Sequence, residues 1–175
     1  MNKSMRSLFL VVAVSMAIAM FWNKVPAISQ SVHLILDPTG GKLLNWSANV
    51  GILLFAAAIS LFITLIQKYT TDQETLRQIK KEQKILQEEI KKYKDHPEKM
   101  MELQKKQLQF IPRTFEITLR PIMYTSIPII LFFRWFNDYF TANPIKIFGL
   151  LSWFWAYIIF SMIFTTIFRK VFNVA

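Results

Sequence analysis

From Val50 to Ile66 the chain runs through seventeen residues without a single charged side chain. A run of that length and character belongs in hydrocarbon. Hydrocarbon offers no water to a backbone N–H or C=O, so a spanning segment must satisfy its hydrogen bonds internally, as a helix does. Further apolar stretches flank it, and the charges are gathered into one block between Gln67 and Arg113, which holds twelve Lys or Arg and eight Asp or Glu. With 53% hydrophobic residues and sixteen Phe, the chain is too oily for an ordinary soluble domain and reads as a polytopic membrane protein with one polar insertion.

Inside that block apolar residues recur at helical steps: Leu76, Ile79, Leu86, Ile90 and Tyr93 form a heptad-like seam interrupted at Gln83. Asp95-His96-Pro97 breaks the pattern, because proline lacks an N–H and disfavours helix in the residue before it. The period resumes with Met100 or Met101, then Leu103, Leu108 and Ile111. The block predicts an antiparallel coiled-coil hairpin over residues 67–113, standing on a membrane.

The rest of the chain divides around it. Residues 1–22 carry Lys3 and Arg6 and then an uncharged, largely apolar run of fifteen residues from Leu8 to Trp22. That is short of the roughly 20 needed to span, and typical of a signal-peptide core. Ala17-Ile18-Ala19 resembles a cleavage site but would leave an oily mature start, so an extra transmembrane helix is expected over a cleaved signal. Residues 23–45 form an external loop punctuated by Pro26, Pro38 and Gly40-Gly41, in which Val32 to Leu36 suits either the membrane interface or a brief strand. His33 reads as a surface histidine.

Residues 46–66 are the first core helix, anchored by Trp46, with Asn49, Ala56, Ser60 and Gln67 near one face and Thr64 at its edge. Such a stripe serves either helix packing or one wall of a hydrated groove. Residues 114–137 are the second core helix, which contains Glu116, Arg120, Pro121, Pro128 and Arg134. A charge at mid-bilayer costs roughly 2.5–3.5 kcal/mol on insertion scales, so each one calls for a reason. The spacing allows Glu116 to pair with Arg120 and Arg134 with Asp138. An external turn at 138–144 leads to the third core helix, 145–168. There Gly149, Ser152 and Ala156 form a small-residue strip, and Tyr157, Ser161 and Thr165 offer hydroxyls. Residues 169–175 are the tail.

By helix counting, Lys3 and Arg6, the basic hairpin and Arg169-Lys170 all fall on one side, which the positive-inside rule makes the cytoplasm of a multi-pass cell-membrane protein. The net charge of +10 suits anionic lipid head groups, nucleic acid or an RNA-rich partner such as a ribosome. The chain has no cysteine and lacks the nucleotide-binding, zinc-protease and serine-hydrolase motifs, so no catalytic residue, metal site or cofactor is expected and the protein is not read as an enzyme.

One helix, a hairpin, then two helices joined by a tight turn is an order that resembles the Oxa/YidC/Get superfamily of membrane-protein insertases, most closely its archaeal YidC-like members. The local sequences PIILFFRWFNDYF and LSWFWAYIIFSMIFTTIFRKVFNVA carry the resemblance. Trp135-x-Asn137 and the basic end at Phe168–Phe172 are similar to subunit 3 of the endoplasmic-reticulum membrane complex. The resemblance implies an all-α fold with a three-helix transmembrane core and a cytoplasmic hairpin between its first and second helices. It implies that a polar intramembrane groove helps client segments enter the bilayer. The side chains assigned to that groove are Asn49, Ser60, Thr64, Gln67, Glu116, Arg120, Tyr157 and Ser161. Lys80, Lys81, Lys91, Lys92, Met100 and Met101 are assigned to client or ribosome contact. The partners implied are nascent membrane proteins with their ribosomes and anionic lipids, with room for an oligomer and no specific nucleic-acid sequence. Bacterial relatives are similar in placing an arginine on the first core helix. This chain has none there, and Arg120 is the candidate replacement. A channel or small-solute transporter, or a membrane-anchored coiled-coil scaffold, are the competing expectations.

Overall fold

The computed structural model describes residues 3–93 and 96–174, with side chains from Arg6 onward. Asp95 of the expected hairpin break and the side chain of Lys3 lie outside the described residues. The elements are α1 (Lys3–Phe21), α2 (Pro26–Leu36), a π-helical turn (Asp37–Gly41), α3 (Lys42–Trp46), α4 (Ala48–Thr70), α5 (Gln73–Lys92), α6 (Pro97–Ala142) and α7 (Trp153–Val171). Among the described residues α4, α6 and α7 are long and apolar enough to cross a membrane. Arg6–Phe21 together with Pro26–Trp46 adds a fourth if that pair, bent by 91°, is counted as one broken span.

Local chemistry sets most of these boundaries. Ser47 caps α4 by accepting the Val50 N–H at 3.4 Å. After α4 the backbone becomes extended at Thr71, and Asp72 starts α5 by accepting the Thr75 N–H at 3.0 Å and its hydroxyl at 2.7 Å. Pro97 opens α6 at a position where its missing N–H would have no helical partner.

Three elements differ from their expected form. Val32 to Leu36 is neither a strand nor a loop but the end of α2, which begins at Pro26. The second arm of the hairpin and the second core helix are one continuous helix of 46 residues, about 69 Å long, that passes through Pro112, Pro121 and Pro128. Each proline removes one backbone donor, leaving the carbonyls of Leu108, Ile117 and Tyr124 without an i+4 partner. The rest of the helix survives, as helices in membranes often do around prolines. The third core helix begins at Trp153 rather than at 145. Gly149 and Ser152 therefore precede it. Gly149 is exposed at φ 75° next to Phe148 at φ 51°, in a turn closed by hydrogen bonds between Ile147 and Leu151, and only Ala156 of the small-residue strip is buried in a helix contact.

Long-range contacts give the helix directions. Ser7 meets Met123, and Trp22 meets Asp138, each across 116 residues, so α1 and the second half of α6 run parallel. Asn49 meets Phe148, Ser60 meets Ser161, and Lys68 lies over Phe172, so α4 and α7 are also parallel. Asn45 bonds Tyr139 while Phe55 packs on Phe132, so α4 and α6 are antiparallel. The core is thus two parallel pairs, α1–α6 and α4–α7, joined where α4 crosses α6. The hairpin leaves one end of this core, and the other is called the distal end below. One cluster of buried hydrophobic residues sits at the distal end: Leu44, Ile52, Ala56, Trp135, Phe136, Phe140, Ile147, Ala156 and Tyr157.

Candidate functional site

The distal end is closed by rings. Phe136, Phe140 and Trp153 stack pairwise at 5.6–5.8 Å and within 9° of parallel. Phe55 reaches from α4 to meet Phe132 and Phe136 edge-on at 5.1 and 5.2 Å. Stacking and edge-to-face geometry both suit the ring quadrupole. Gly40 lets this cluster form, since a Cβ there would sit 2.7 Å from Phe55 and 2.8 Å from Trp135.

Toward the hairpin the same two helices part. A cleft of roughly 270 Å³ opens between Phe55, Ala58, Ile59 and Phe62 of α4 and Pro128, Ile129, Phe132 and Phe133 of α6. Every side chain lining it is apolar. Its polarity is confined to the backbone, where Pro128 cannot donate to the Tyr124 carbonyl.

The eight residues assigned to a groove fall into three places, and none of them lines this cleft. Asn49 lies at the distal end and accepts the Phe148 N–H at 2.8 Å, pinning the turn before α7. Ser60, Thr64 and Ser161 lie at the α4–α7 contact. There the buried Ser60 hydroxyl donates to the Ser161 carbonyl at 3.3 Å and the buried Thr64 hydroxyl donates to the Ser60 carbonyl at 2.7 Å. Tyr157 is buried edge-on to Phe133 at 4.9 Å. Gln67, Glu116 and Arg120 stand at the hairpin end. The Gln67 carbonyl accepts from the Gln73 amide at 2.8 Å, and Glu116 and Arg120 are exposed on α6.

Two expected ion pairs do not form. Among the described residues the ion pairs are His33–Asp37, His33–Asp138 and Lys106–Glu102. Arg120 does not close on Glu116. The Thr75 N–H and hydroxyl, with a smaller contribution from Arg120, hold the Asp72 carboxyl below its ordinary value. Asp138 bonds Trp22 and His33 rather than Arg134.

On the hairpin, α5 packs against the first part of α6. The seam is buried at Leu76 and Ile79 near its base and at Leu103 of α6, and half-buried at Leu86, Ile90 and Tyr93. Gln83, the residue that interrupts the apolar period, lines a gap of roughly 470 Å³ with Gln104, Gln107, Leu108 and Ile111. Lys80, Lys81, Lys91 and Lys92 are exposed, Met100 is half-buried, and Met101, Leu108 and Ile111 are each more than half exposed. Partial burial, aided by nearby Arg169, pushes the Lys80 ammonium down. The tail returns to this base: Asn173 accepts from Arg77 through its carbonyl, and Lys68 lies 5.6 Å over the Phe172 ring.

Sequence reasoning missed the cleft lining and the role of His33. The cleft residues look like ordinary lipid-facing side chains. The one local hint is Pro128, which frees a carbonyl in mid-span. His33 with Asp37 four residues on had the spacing of a helical pair, but its second partner lies 105 residues away.

No curated protein and no solved structure gives a significant match to the chain. Residues 33–175 match the family model for integral membrane proteins of the EMC3/TMCO1-like type, which covers the end of α2, the π-helical turn and α3 to α7. The chain therefore belongs to the EMC3/TMCO1-like family of integral membrane proteins, within the Oxa1/YidC/Get1 insertase-related superfamily.

Proposed function

We propose that this protein is a membrane-protein insertase in which the α4–α6 cleft receives a client's hydrophobic segment. The observation that carries the proposal is the cleft itself: two spanning helices clamped by rings at the distal end and parted toward the hairpin, where Arg120 and Glu116 stand exposed. Family membership is consistent with a role in membrane-protein insertion.

In this mechanism the hairpin is a cytoplasmic coiled coil, placed there by its basic charge together with Arg169 and Lys170. Its exposed lysines meet the ribosome or anionic lipid, and Met101, Leu108 and Ile111 offer an apolar surface to a nascent chain. The client's polar flank passes Arg120, Glu116 and Gln67 at the mouth, whose charges hold water and shorten the dry path it has to cross. Its apolar helix displaces lipid from the cleft and then moves sideways into the bilayer. Partitioning of the client supplies the free energy, and the protein makes and breaks no covalent bond. Asn49, Ser60, Thr64, Tyr157 and Ser161 hold the wall together rather than touch the client.

Photocrosslinkers at Phe62 and Ile129 should capture a ribosome-bound nascent membrane segment, while one at Ile163, on the exposed face of α7, should not. Equal capture from all three sites would overturn the cleft as the client path. Arg120→Leu should lower insertion of a short-tailed client about tenfold at unchanged expression, the equivalent of about 1.4 kcal/mol. Ser60→Ala, inside the α4–α7 contact, should leave insertion intact and cost about 0.6 kcal/mol of stability. The reverse ranking would move the working surface to α4–α7.

A further inference from the structure

Where the hairpin meets the core, basic side chains from three helices gather around the tail. Lys68 in the last turn of α4 lies 5.6 Å over the Phe172 ring, and Arg77 of α5 donates to the Asn173 carbonyl. That carbonyl is presented by the way α7 ends. Asn173 takes φ 55°, and the Val174 N–H reaches back to the Arg169 carbonyl at 2.9 Å, a left-handed cap of the kind that closes many helices. Lys80, one turn beyond Arg77, has Arg169 of α7 as a cationic neighbour. Helix dipoles account for Lys68, Arg169 and Lys170, which stand in the last turns of α4 and α7. They do not account for Arg77 and Lys80, which belong to the first half of α5. Neither α4 nor α7 carries a carboxylate, and this part of α5 carries Asp72, Glu74 and Glu82. Among the described residues none of the three lies within ion-pair distance of Lys68, Arg77 or Lys80, and Asp72 is taken up by Thr75.

We propose that Lys68, Arg77, Lys80 and Arg169 bind the head group of one anionic phospholipid, whose phosphate joins the base of the hairpin to the ends of α4 and α7. Depth selects a lipid. The spanning helices α4 and α7 run parallel and end together, so the cluster stands at the level of the phospholipid phosphates on the hairpin side of the membrane. The surroundings agree, because Tyr69, Ile167 and Val171 next to the cluster are exposed and offer a surface for acyl chains. The donors suit phosphate. Arg77 commits one N–H to Asn173, and its guanidinium keeps others in the planar fork that matches phosphate oxygens. Lysine adds compact point charges, and an anion seated between Lys80 and Arg169 replaces a repulsion with two attractions. This is a site for one lipid built from three helices, unlike the diffuse attraction of the outer hairpin lysines. It needs only the spans and the cluster, so it stands apart from the insertase reading.

The test gives the full chain, delipidated in neutral detergent with no client present, three probes in separate titrations read by native mass spectrometry. The probes are phosphatidylglycerol, phosphatidylcholine with the same acyl chains, and inorganic phosphate. One phosphatidylglycerol should bind per chain at least about tenfold more tightly than phosphatidylcholine. Replacing both Arg77→Gln and Lys80→Gln should weaken it about thirtyfold, at roughly one surface charge each. Replacing both Lys99→Gln and Lys105→Gln removes the same charge from the other arm of the hairpin and should leave binding unchanged. Equal loss from the two double variants would overturn the site. So would equal affinity for the two lipids in the native protein, a measurement that stands alone if a variant fails to fold. Inorganic phosphate binding as tightly as phosphatidylglycerol would overturn the lipid assignment, as would displacement of the lipid by an equal concentration of a short single-stranded RNA.

Discussion

The two ends of one helix bundle behave as different materials. At the distal end Trp135, Phe136, Ile52 and Ala56 are almost wholly buried, three rings stack, and the turns are pinned by Asn45, Asn49 and the His33 cluster. Toward the hairpin α4 and α6 part around an apolar cleft, and the charges of α6 are exposed. In lipid an apolar helix gains little by touching another, because acyl chains are equally good company, so association depends on shape and hydrogen bonds. Parting therefore costs little where neither is provided. A tight distal end allows a loose hairpin end: the bundle keeps its order at one end and its freedom to admit a guest at the other.

The largest effect should come from Trp135→Ala. It removes a fully buried ring and the donor to Asp37, and should cost about 3–5 kcal/mol, measured by unfolding in mixed micelles. Phe62→Ala in the cleft wall should cost far less. Equal losses would mean that the two ends are packed alike and would break the comparison. Next, Gly40→Ala drives a methyl against Phe55 and the immobile Trp135, and should cost about 1–3 kcal/mol. A neutral outcome would show that the distal cluster relaxes readily.

The smallest effect sharpens the hairpin side. Asp72 has its pKa lowered below 3.8 in the folded chain, chiefly by Thr75. Its contribution is therefore present above the unfolded value and lost as pH falls through the lower folded one. Asp72→Asn retains a cap for α5 but does not titrate, so it should flatten the acid loss of helicity below about pH 4. An unchanged acid profile would remove Asp72 from the base of the hairpin.

The spans, the basic block and the helical period were legible in the chain because each is a local property. A backbone in hydrocarbon must bond within its own segment, and so the length and charge of a stretch announce a spanning helix. Gln83 was legible in the same way, as an interruption of the seam, and it lines a glutamine-flanked gap. Boundaries were harder. The hairpin was expected to end at 113 and the second core helix to begin at 114, yet one helix runs through Pro112, Pro121 and Pro128 because so many other bonds hold it.

What the sequence determined by itself was the helical class of the protein, its membrane spans and the segregation of its charge, all consequences of solvent acting on one segment at a time. Tertiary structure alone decided the partners. Glu116 and Arg120 have helical spacing and do not pair, Asp138 leaves Arg134 for Trp22 and His33, and the stripe at Ser60 and Thr64 meets α7 instead of a wet groove. Those choices depend on contacts roughly a hundred residues apart, where chain geometry and not spacing brings atoms together. The cleft is the clearest case, since a void is a relation between helices and no residue of either one encodes it alone.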